Sequence, residues 1–118
     1  MLSIAWNPVT ELIYAGGLFS QLLAFNTYGD LVSSVTPFIQ SREMLFLHGD
    51  LYAISATCGL LIRYCLDKEH QICQFRDEKP FMDLRYNPVS QRLLTTTESQ
   101  VFLLNPDNLT QTHTLPTP

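Results

Sequence analysis

The five residues Trp6-Asn7-Pro8-Val9-Thr10 return as Tyr86-Asn87-Pro88-Val89-Ser90, 80 residues further on. Eighty is two periods of forty, and a weaker copy of the surrounding pattern lies between the two strong ones. Repetition at this period means that the 118 residues are one supersecondary unit used three times. A unit of that size does not bury its apolar face alone, so it must stack on its neighbours.

Within each period the apolar runs are four to six residues long, rich in β-branched and aromatic types, and punctuated by turn residues. That pattern predicts strands, because a helix needs a longer uninterrupted stretch and would be broken at both Asn-Pro steps. Twelve strands are expected, in three groups of four: 2–6, 12–15, 21–25 and 31–35; then 44–47, 51–55, 60–65 and 72–75; then 82–86, 93–96, 101–104 and 110–115. Proline fixes the first central position of a tight turn, and the asparagine before it bonds its own backbone two residues on. Gly16-Gly17, Tyr28-Gly29-Asp30, His48-Gly49-Asp50, Glu98-Ser99-Gln100 and Asn105-Pro106-Asp107-Asn108 are read as further reversals. Leu51-Tyr52-Ala53 is aligned with Leu12-Ile13-Tyr14, thirty-nine residues earlier. A β-sandwich also uses short strands and frequent turns, but it does not predict the doubled spacing. The expected fold is all-β: three β-propeller blades of four antiparallel strands in a single partial propeller, with repeats at about 1–37, 38–79 and 80–118.

The order of features (a strand ending in an aromatic, an Asn-Pro turn, an apolar strand, a short turn, an apolar strand ending in an aromatic) resembles the WD-repeat β-propeller family. Residues 2–37 and 81–116 each look like one repeat of that family, and 38–79 like a degenerate one. Where the family carries Trp-Asp at the close of the third strand, this chain has Phe25-Asn26, Tyr64-Cys65 and Leu104-Asn105. The aromatic or apolar residue is kept and the acid is lost; the family's Gly-His pair is lost too. The buried Asp-His network is therefore not available, which leaves apolar packing to hold the blades. Propellers close with roughly four to eight blades, so three are expected to leave two faces seeking cover. That cover is expected from a second copy, from another chain, or from the rest of a longer propeller.

Composition narrows the function. The net charge is −4 with seven Lys and Arg, none clustered, which disfavours nucleic acid as a partner. No stretch approaches the length of a membrane span, and no signal-peptide pattern opens the chain. Three cysteines, Cys58, Cys65 and Cys73, are an odd number suited to a reducing compartment, so an intracellular location, cytoplasmic or nuclear, is expected. Their spacings are not those of a zinc knuckle, although Cys65 and Cys73 are placed to approach across a hairpin. Asp67-Lys68-Glu69-His70 and Arg76-Asp77-Glu78-Lys79 hold acid–base chemistry in name, but they fall in solvated turns that offer no pocket to tune it. No metal, cofactor or catalytic residue is assigned, and the chain is not expected to be an enzyme on its own. A rival expectation is a subunit of a propeller enzyme or ligand-binding protein, active only in a closed ring. The resemblance implies instead a protein–protein interaction scaffold, and Phe19, Phe38, Arg42 and Glu98 are its candidate binding residues, all expected in loops at one end of the blades.

Overall fold

The structure, a computed structural model, describes residues 1–116. Thr117 and Pro118, the last two residues of the third repeat, lie outside it. Twelve strands and no helix are present among the described residues. The first sheet is β1 (Leu2–Asn7), β2 (Leu12–Gly17), β3 (Leu22–Phe25) and β4 (Leu31–Val35). The second is β5 (Ser41–Leu47), β6 (Asp50–Ser55), β7 (Leu60–Cys65) and β8 (His70–Arg76). The third is β9 (Asp83–Asn87), β10 (Arg92–Thr96), β11 (Gln100–Leu104) and β12 (Gln111–Pro116). Each sheet is an antiparallel meander in chain order, and the three stack as blades with β1, β5 and β9 side by side. The stack is an open arc, 45 × 28 × 23 Å.

The Asn-Pro turn explains the first hairpin of blades 1 and 3. Asn7 Oδ1 accepts from Val9 N at 3.0 Å while Asn7 O accepts from Glu11 N at 2.8 Å, and Glu11 takes φ 57° to rejoin the ladder. Asn87 repeats the side-chain bond to Val89 N at 3.0 Å, with Gln91 at φ 55°. The same device appears a third time at Asn105, which accepts from Asp107 N at 2.9 Å and from Leu109 N at 2.8 Å. Blade 2 uses a two-residue turn instead, His48 and Gly49, both at positive φ, so that Leu47 pairs directly with Asp50.

That shorter turn corrects the alignment expected from the sequence. The registers pair Trp6 with Ile13, Phe46 with Leu51 and Tyr86 with Leu93, so Leu51 occupies the place of Ile13 rather than Leu12. The offset after the first turn is thirty-eight residues, two fewer than forty, and not thirty-nine. One residue matters here, because a single-residue slip turns every side chain of a strand to the opposite face. Gly16-Gly17 is a second correction: both residues close β2, and the reversal is made by 18–21. Gly16 is needed for close approach, since a Cβ there would collide with Ser41 Oγ of the next blade.

Each blade has a face toward the preceding blade and one toward the following blade. Between blades 1 and 2, the core gathers Ala5, Tyr14, Leu22 and Ala24 against Met44, Leu51, Ala53 and Ile62. Between blades 2 and 3, Tyr52, Ile54 and Leu61 meet Leu84, Leu93, Phe102 and Leu104. Blade 2 is thus covered on both sides. All of β6 after Asp50 is buried, whereas β1 alternates strictly between buried and exposed.

Candidate interaction surfaces

The four residues singled out from the sequence fall in different surroundings. Phe38 sits on the connection between blades 1 and 2, but its ring is buried and meets Tyr64 edge-on at 5.2 Å. Phe19 lies in the turn between β2 and β3, partly buried beside Gly17. Arg42 is not in a loop: it is the extra residue of a bulge in β5, and its Nε donates to Met82 O at 3.2 Å, tying blade 2 to blade 3. Glu98 is exposed in the turn between β10 and β11, within 3.0 Å of Lys79 Nζ. Phe19, Phe38 and Glu98 lie toward the same end of the blades, where an open groove of about 650 Å³ is lined by Arg76, Asp77, Glu78, Lys79, Ser99 and Gln100. Both signs of charge line it. The residues do not converge on one chemical site.

The cysteines are free. Cys65 pairs with His70 and Cys73 with Arg63, so the two cysteines are not directly opposite one another across the hairpin. Burial pushes the Cys73 thiol up, away from the reactive thiolate, and the thiol donates to Asp107 O at 3.8 Å.

What the structure does bring together is polar stitching between blades. Tyr52 Oη donates to Pro106 O at 2.8 Å and Arg63 Nη1 to Asp107 O at 2.5 Å, so the third Asn-Pro turn is gripped by blade 2. Asp50 orients Arg63 through a two-nitrogen contact at 2.7 and 2.9 Å. On the inner strands, Arg85 Nη1 reaches Glu43 Oε2 at 2.6 Å. Between blades 1 and 2, Ser3 Oγ and Ser41 Oγ are 2.9 Å apart in a buried pair.

An exposed apolar row lies on the outer face of blade 1. Leu2, Ile4 and Trp6 of β1 are 74%, 70% and 47% exposed, and on the neighbouring strands Ile13, Leu23 and Phe25 share their face. At the forty-residue equivalents of Ile4, Met44 and Leu84 are 8% and 3% exposed. The equivalents of Trp6, Phe46 and Tyr86, pack against the two cores. One set of positions is therefore core in blades 2 and 3 and surface in blade 1. The opposite outer face, on blade 3, is mixed: Asp83 and Arg85 on the inner strand, then Leu94, Val101 and Leu103 toward the middle of the blade. Sequence reasoning anticipated two uncovered faces but looked for binding residues in the loops. The signal for Ile4 and Trp6 was the forty-residue alignment with Met44, Leu84, Phe46 and Tyr86. Set against known proteins, the chain matches no family model and no curated protein at a significant level.

Proposed function

We propose that this chain is a protein–protein interaction segment of WD-repeat-like character, an arc of three blades that assembles with further blades through its outer faces. One observation carries the reading: the apolar positions that are core in blades 2 and 3 are solvent-facing in blade 1. Exposed contiguous apolar surface on a folded chain marks an interaction site. Array proteins otherwise cover their terminal units with polar side chains, and blade 1 carries Leu2, Ile4 and Trp6 instead. Free thiols support an intracellular setting for this assembly.

The test is position-specific crosslinking in the cells that make the protein. A photo-reactive residue at position 4 is expected to form protein adducts, whereas one at position 28, a loop position 90% exposed, is expected to form few. Equal or absent adducts at the two positions remove the reading.

A further inference from the structure

We propose that the outer face of blade 1 is covered by the outer face of blade 3 from a second copy, the two copies closing head to tail into a six-bladed ring about a two-fold axis. This inference rests on the interaction reading above and names its partner. Its warrant is the pair of junctions already present in the chain, which show what covers each set of positions.

At both junctions the face turned to the following blade meets the next blade's face turned back. In the first, Tyr14 of β2 packs on Phe46 of β5 with ring centroids 5.0 Å apart. The registers make Tyr14, Tyr52 and Leu94 equivalent, as they make Trp6, Phe46 and Tyr86 equivalent. Continued by one more step, the same stacking sets Leu94 of one copy on Trp6 of the other. It also sets Val101 and Leu103 over Leu23 and Phe25, the middle of one blade against the middle of the next.

Asp83 and Arg85 do not obstruct this arrangement. Their blade 2 counterpart Glu43 also lies on an inner strand facing the next blade, and it is accommodated there by Arg85 itself at 2.6 Å. Charge at that edge is thus compatible with a formed junction, provided the middle of the blade is apolar. Leu94, Val101 and Leu103 meet that condition and remain partly exposed. Both complementary faces belong to one chain, and three blades plus three make six, inside the range of roughly four to eight that closes. Two-fold symmetry forms two identical junctions at once and leaves no face open.

Sedimentation of the purified full chain tests this. The expected species has twice the 13.5 kDa chain mass. Trp6 is the single tryptophan, so its emission moves to shorter wavelength as concentration rises through the dimer transition. Ile4→Asp and Leu103→Asp each place a carboxylate in the apolar junction, which weakens association on the order of a hundredfold or more. Each variant alone is expected to be monomeric, with circular dichroism confirming that it is folded. Mixed together, they are expected to form a one-to-one dimer, because each supplies the face the other has lost. A folded wild-type chain that stays monomeric at its highest soluble concentration overturns the second copy as occupant. So does a Leu103→Asp protein that still dimerises, which pairs blade 1 with itself, or a mixture that fails to associate. If the wild type is monomeric while position 4 crosslinks to a different protein in cells, the interaction reading stands and only this inference falls.

Discussion

The two junctions between blades solve the same problem by different chemistry. The first relies on close approach: Gly16 lets the backbone of β2 come down on Ser41, the Ser3–Ser41 hydroxyl pair fills the gap, and Tyr14 and Phe46 pack above it. The second relies on bulk and on hydrogen bonds. Phe75, Phe81 and Phe102 form a cluster with centroids 5.4–6.1 Å apart, and Tyr52 and Arg63 hold the carbonyls of the 105–109 turn. The difference teaches that a forty-residue repeat preserves which face is buried without preserving how it is held.

The largest effect is expected at the second junction. Phe81 is fully buried on the connection between blades 2 and 3, so Phe81→Ala removes the centre of the aromatic cluster and leaves a cavity. A loss of about 3–5 kcal/mol is expected in urea unfolding. A smaller loss there than at the first junction would reverse the comparison.

The first junction is more sensitive to added volume than to removed volume. Gly16→Ala drives a methyl into Ser41 Oγ, with an expected cost of about 1–3 kcal/mol. The double variant Gly16→Ala, Ser41→Gly is expected to recover part of that cost, and the coupling measured by the cycle separates collision from lost glycine flexibility. Additive costs would mean that close approach does not hold this junction.

The smallest effect is at Tyr52. Tyr52→Phe removes the bond to Pro106 O and is expected to cost about 1 kcal/mol near neutral pH. Burial pushes the Tyr52 hydroxyl up to about 12 from 10.0, so the folded state favours the protonated form. Its contribution is whole below pH 10 and is lost as pH rises from 10 toward 12. The stability difference between wild type and Tyr52→Phe should therefore narrow across that interval. A difference that stays constant would show that the hydroxyl is not held as the structure places it.

Much of the fold was legible in the sequence, for local reasons. The asparagine side chains that fold back at positions 7, 87 and 105 and the spacing of short apolar runs act within a few residues. Gly16 was misread because glycine favours both reversals and close packing, and only the position of Ser41, far along the chain, tells the two apart. Tyr52 was misaligned because a two-residue turn replaced a four-residue one, a change no neighbouring residue announces. Phe38 and Arg42, expected in loops, lie instead in a core against Tyr64, 26 positions along the chain, and on a strand bulge bonded to Met82 of the next repeat.

The sequence by itself determined that the protein is a threefold repeat of short antiparallel strands, because turn chemistry and the length of apolar runs are properties of adjacent residues. Only the tertiary structure decided what the repeated positions do. Ile4, Met44 and Leu84 are chemically alike and equivalent in register, yet two lie in cores and one faces solvent. Burial depends on which blade stands in front, and that is a property of the stack rather than of the residue.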